Sequence, residues 1–227
     1  MSTSPVIIAL DFDDPSNADA LVGVLGNKAD FYKVGMELYA AAGMDYVRSL
    51  ILRRKKVFLD LKFYDIGETV RRAVAQVAAT GVTFLTVHAV PQVVRAAVQG
   101  RVGSSLKLLA VTVLTSLDQA DIEADGYTMA LPELVTLRAK NAIACGADGL
   151  IASPLEARRI RTVVGPGPLL VTPGVRSKGA DTGDQKRVAT PADALHDGAN
   201  YIVVGRQINR AVDPVSALAA IHSELGL

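Results

Sequence analysis

The sequence predicts an α/β fold, a single-domain (β/α)8 TIM barrel over residues 1–227. Three observations carry that expectation. Eight short, nearly continuous apolar runs recur along the chain, as strands buried on both faces require. Most are followed by an amphipathic stretch of helical period, and strand–helix alternation implies a parallel sheet, because parallel strands need crossover connections. Eight units in this length receive about 28 residues each, close to the usual allotment of a barrel unit.

The runs fall at 6–11, 31–36, 57–62, 83–88, 108–114, 149–153, 169–173 and 201–205. The first ends in Asp11-Phe12-Asp13-Asp14-Pro15. A competing open, doubly wound sheet would typically carry a Gly-rich dinucleotide turn at that point, and none is there. Helices are expected over 15–28, 68–80, 132–145 and 214–225. Pro15, Pro132 and Pro214 stand at helix starts, and Gly81 and Gly146 follow helix ends, which is the usual punctuation. No linker, low-complexity tract or short internal repeat marks a second domain.

Half of the residues are apolar, enough for one large core. With 24 basic and 23 acidic residues the net charge is +1, so neither nucleic acid nor membrane is an expected partner and any basic patch must be local. Cys145 is the only cysteine, which rules out an intrachain disulfide. Lying in the apolar stretch NAIACGAD, it is expected to pack in the core as a small hydrophobe. The N-terminal MSTSPVIIALDFD has no basic n-region, and its apolar run is too short for a signal peptide or a membrane span. A reduced, cytoplasmic protein is the expectation.

Barrel enzymes place their chemistry at the carboxyl ends of the strands. Here the first run ends in Asp11, the second carries Lys33, the third ends in Asp60-Leu61-Lys62 and the fourth in His88. Burying a charge is costly unless it is paired, so charges repeated at corresponding positions call for a purpose. Asp60 and Lys62, two apart on a strand, point to one face, and Lys33 reaches the same mouth. An alternating Lys-Asp-Lys array would pair every charge while fixing one ammonium. The competing reading is an ion-pair network that only fills the barrel.

The second half of the chain supplies an anion site. The seventh run leads into Pro173-Gly174-Val175-Arg176 and a long Gly-rich stretch to Arg187, and the eighth ends in Val204-Gly205-Arg206. Loops after the seventh and eighth strands often grip phosphate in such barrels. Gly205 permits close backbone approach and Arg206 offers a forked contact. The long connection reads either as a mobile lid or as an exposed polar loop.

These residues resemble a known family. DLKFYDI is similar to the Asp-x-Lys-x-x-Asp-Ile signature of orotidine 5′-monophosphate decarboxylases. ALDFD, YKVGMEL, TVHA, AVTVLTS, TPGVR…GDQKRVATPADAL and YIVVGRQI match in order around it. The resemblance implies a (β/α)8 barrel working as a homodimer, converting orotidine 5′-monophosphate (OMP) to uridine 5′-monophosphate (UMP) and CO2 with no metal or organic cofactor. It implies a charged catalytic tetrad of Lys33, Asp60, Lys62 and Asp65, with Asp65 serving the partner's site. Asp11 and Lys33 would contact ribose hydroxyls, with Thr69 reaching across from the partner. Thr115 would read the pyrimidine edge, Gln185 would bridge base and phosphate, and Gly205 with Arg206, joined by Arg176, would hold the phosphate. Three departures stand out: Tyr64 before Asp65, Glu68 where Asn is commoner, and Ser177-Lys178 in place of a Pro-containing start to the lid.

Two other readings remain open. A magnesium-dependent sugar-phosphate enzyme of the same barrel, similar to hexulose-phosphate synthase, also carries Asp-x-Lys-x-x-Asp. A non-catalytic nucleotide-binding barrel would use the same pocket without turnover.

Overall fold

The computed structural model describes residues 4–177 and 189–227. Its elements, in chain order, are β1 (Val6–Ala9), α1 (Pro15–Leu25), β2 (Phe31–Gly35), α2 (Met36–Leu52), β3 (Lys56–Phe63), α3 (Gly67–Ala78), β4 (Phe84–His88), α4 (Pro91–Gly100), β5 (Lys107–Val111), α5 (Gln119–Ala124), α6 (Leu131–Ala144), β6 (Gly149–Ile151), α7 (Ala157–Val164), β7 (Leu169–Thr172), α8 (Pro191–His196), β8 (Tyr201–Val204), α9 (Arg206–Asn209) and α10 (Pro214–Glu224). The eight strands form one closed barrel in sequence order, and each pair is parallel, including β1 with β8. The barrel expectation holds. All eight expected runs became strands, several ending one to three residues earlier than the apolar pattern does. The chain leaves the ladder there, where it must turn outward into loops.

Closure divides the apolar residues into two sets. Alternate strand residues point inward, and Ile7, Phe31, Phe58, Phe84, Leu109, Ile151, Val171 and Val203 fill the barrel interior. Four rings dominate its lower part: Phe31 lies 5.0 Å from Phe84, Phe58 6.1 Å from Phe84, and Tyr201 5.4 Å from Phe84. Each buried Phe contributes about 1.5–3 kcal/mol of hydrophobic stabilisation, so this plug is a rigid floor. The opposite strand faces, with Ile8, Tyr32, Leu59, Leu85, Leu108 and Ile202, meet the apolar sides of the helices in the outer core.

Capping fixes where the helices start. The Asp14 side chain accepts from Ser16 N before Pro15 opens α1, and Asp213 accepts from Val215 N and Ser216 N before α10. Cys145 is half-buried rather than fully enclosed: it packs against the outer core, and Arg95 Nη1 donates to its Sγ at 3.2 Å. Among the described residues no helix is long and apolar enough to cross a membrane.

Candidate active site

The interior pattern leads directly to the site. Two residues above Phe31 is Lys33, two above Phe58 is Asp60, two above Ala9 is Asp11, and two above Val203 is Gly205. Period-two alternation therefore replaces the apolar floor with charge at the carboxyl-end mouth. A cavity of about 440 Å³ opens there, within the range of small-ligand sites. Asp11, Lys33, Asp60, Lys62, Thr115, Arg176, Gly205 and Arg206 all line it.

The charges form one chain of contacts. Lys33 Nζ donates to Asp11 Oδ1 at 2.7 Å and faces Asp60 Oδ2 at 3.9 Å, while Lys62 Nζ donates to Asp60 Oδ1 at 2.9 Å. The Lys33 and Asp60 side chains keep 11 % and 15 % of their exposure and Lys62 keeps 24 %, so the array sits in a half-dry pocket. Attraction between such groups is several times that of exposed pairs, since the effective dielectric falls toward the interior.

Regular strand geometry does not place Lys62. Pairing between β3 and β4 runs in step at Leu59 with Leu85 and resumes at Phe63 with Val87. Three residues, Asp60, Leu61 and Lys62, therefore oppose Thr86 alone, which is a bulge. Lys62 sits at φ 51, in the left-handed region, a conformation costing roughly 1–3 kcal/mol for a residue with a side chain. Such strain persists only where neighbours over-determine it. The sequence reading of a plain strand is corrected on this point: Asp60 and Lys62 do meet on one side, but through a bulge.

Arg176 and Arg206 line the same cavity as the Asp60–Lys62 pair. Arg176 is buried, and its Nη1 donates to Val175 O at 2.7 Å. A Cβ on Gly205 would lie 3.6 Å from Ala9 Cβ and 3.7 Å from Asp11 Oδ2, an ordinary distance, so nothing in the chain itself demands glycine there. The bare backbone faces the cavity instead. The stems of the β7–α8 connection are tied together: Arg176 N donates to Ala189 O, and Val175 bridges Ala189. Ser177 N donates to Gln207 Oε1, Gln207 Nε2 to Ser177 Oγ, and Ser177 Oγ to Glu224 Oε2. Gln185 and most of the expected lid lie outside the described residues.

A model of the Orotidine 5'-phosphate decarboxylase / HUMPS family matches residues 4–221. The chain belongs to this family. Proteins named orotidine 5'-phosphate decarboxylase from Rhodopseudomonas palustris strain BisA53 and Afipia carboxidovorans are each 50% identical to it, over 97% and 98% of this chain and 94% of each relative. The crystal structure of orotidine 5'-phosphate decarboxylase from Lactobacillus acidophilus superimposes with a TM-score of 0.87 at 39% identity, covering 98% of this chain and 99% of that one.

Within the family frame, not every expected site residue joins the cavity. Asp65 and Thr69 are exposed and do not line it; Asp65 Oδ1 accepts from Ile66 N at 2.6 Å. The departures acquire local explanations. Glu68 accepts from Arg71 and from Arg72 on the surface of α3, and those bonds hold its carboxyl down at about 2. Tyr64 lies 5.4 Å from the His88 ring, and Ser177 is the anchored stem just described.

Four lining residues with polar side chains were not expected from the sequence: Glu37, Ser116, Asn209 and Arg210. Arg210 is the C-cap of α9, four residues after Arg206, and its N–H donates to Arg206 O. Glu37 sits in the first turn of a helix whose start the apolar pattern did not mark.

Proposed function

We propose that this mouth is where OMP is decarboxylated, with Lys62 at the reacting carbon and the two arginines at the phosphate. The reaction is the conversion of OMP to UMP and CO2, the last step of de novo UMP synthesis. The observation carrying the site assignment is Lys62 Nζ held 2.9 Å from Asp60 in the cavity that Arg176 and Arg206 also line.

Breaking the bond between ring carbon six and the carboxylate releases CO2 and leaves an electron pair on that carbon. An ammonium already fixed beside the carbon stabilises the developing charge without reorganising. The same ammonium then gives its proton to the carbon, yielding UMP, and is recharged from water. Asp60 holds Lys62 in place, Lys33 faces the other oxygen of Asp60, and Asp11 holds Lys33. Enzymes lower barriers by about 8–23 kcal/mol, more than one ammonium supplies. Binding energy from the phosphate, through Arg206, Arg176, Gly205 and Gln185, orients the ring over Lys62. Asp11 and Lys33 suit the ribose hydroxyls, and Thr115 the pyrimidine edge.

Asp65 and Thr69 complete the site of a partner subunit in a homodimer. That reading is supported by the exposure of Asp65 on the β3–α3 connection and of Thr69 in the first turn of α3, close to two exposed apolar residues, Tyr64 and Ile66. The compartment that fits a chain with a single cysteine and a nucleotide substrate is the cytoplasm.

The family description also includes a second branch, so a magnesium-dependent sugar-phosphate reaction is the reading to test against. In this chain Asp11 and Asp60 are each engaged by a lysine ammonium. Purified protein in chelator-treated buffer is expected to convert OMP, followed by its ultraviolet absorbance change. Activity that vanishes with chelator and returns with magnesium would contradict the cofactor-free mechanism.

A further inference from the structure

We propose that Thr86, on β4, is a positioning residue that holds the Asp60–Lys62 pair in its reactive geometry. The inference rests on the assignment of Lys62 above. Thr86 is fully buried and does not line the cavity, so it cannot touch substrate. Its single hydroxyl works in both directions. Thr86 Oγ1 accepts from the Lys62 backbone N–H at 2.9 Å and donates to Asp60 Oδ1 at 2.9 Å. That carboxylate oxygen is the one that receives Lys62 Nζ. One side chain thus fixes both ends of the pair: the backbone from which the lysine side chain springs, and the carboxylate that aims it.

The bulge explains why a side chain does this. Asp60, Leu61 and Lys62 span the interval that β4 covers with Thr86 alone, so regular ladder pairing lapses between Leu59 and Phe63. A buried N–H left without an acceptor is strongly disfavoured, and Lys62 is also held in the left-handed region. The Thr86 hydroxyl takes the place of the missing ladder acceptor. With it gone, the N–H of Lys62 loses that acceptor and Asp60 Oδ1 loses one of its two donors, freeing the backbone to relax and swing the ammonium off target.

Thr86→Val and Thr86→Ser separate this role from packing. Valine keeps the volume and the β-branch but loses the hydroxyl; serine keeps the hydroxyl but loses a methyl group. Thr86→Val is expected to lower kcat on OMP by about 100-fold, the scale of a small misplacement at a reacting centre, with KM and calorimetric UMP affinity near wild type. Thr86→Ser is expected to stay near the wild-type kcat. Packing alone predicts the opposite order, and that order would overturn the proposal. If Thr86→Val does not fold, Thr86→Ala against Thr86→Ser makes the same comparison, and equal losses in both would overturn it. Wild-type protein inert toward OMP overturns the assignment of Lys62 and this proposal together. Active wild type with an equally active valine variant overturns this proposal alone.

Discussion

Asp60 is the residue on which the site turns. Its Oδ1 receives Lys62 and Thr86, and its Oδ2 faces Lys33. Removing one member of a fully buried pair costs about 3–5 kcal/mol; with 11–24 % of these side chains still exposed, the cost here falls below that. The array is therefore better explained by aim than by stability. His88 reports on it. Burial, then Arg138, then Lys62 push its imidazole below the ordinary 6.5, which favours the neutral ring. A depressed value means that the stability from this group is fully present above about pH 6.5 and is lost as pH falls through the folded value. The His88 NMR titration is expected to lie below 6.5 and to move part-way back in Lys62→Gln. No movement would mean that the Lys62 ammonium does not face this ring.

At the level of elements, β2 and β3 carry the site, and a glycine at the end of β2 leaves room for its charges. A Cβ on Gly35 would lie 3.0 Å from Lys33 Nζ and 3.3 Å from Asp11 Oδ1. The backbone there has φ −91, which any residue adopts, so the chain tolerates alanine and the ammonium must give way. Gly35→Ala is expected to leave Tm unchanged or slightly higher, since replacing a compatible glycine contributes about 0.4–1 kcal/mol. It is also expected to lower kcat/KM by about tenfold or more through the displaced Lys33. Wild-type kcat/KM in a folded Gly35→Ala protein would mean that Lys33 has slack. The strands themselves were legible because burial on both faces writes them as apolar runs. Lys33 and Asp60 were legible because charge at strand ends breaks that pattern. The β3 bulge was not, because a register shift leaves no mark in one strand's sequence; it is a relation between β3 and β4. Thr86 was hidden for the same reason: a threonine in the run TVHA reads as an ordinary strand former until the bulge gives its hydroxyl two partners.

At the scale of the molecule, the aromatic floor and the closed ladder make a stiff cup, and chemistry is confined to its rim. The rim is built from both halves of the chain: charge that follows β1 to β3, and the cationic side chains Arg176 and Arg206 that follow β7 and β8. Asp65 and Thr69 are left outside the cavity of their own subunit, which is why a second copy is required by the proposed mechanism. Lys62→Ala and Asp65→Asn offer the most direct test. Each variant alone is expected to be folded and nearly inactive on OMP. If Asp65 serves the neighbouring site, equal mixing with subunit exchange makes half the dimers hybrid, each with one intact site, so activity is expected to return to about a quarter of wild type. A Lys62→Ala protein that keeps wild-type turnover, or a mixture no more active than its two components, would contradict it.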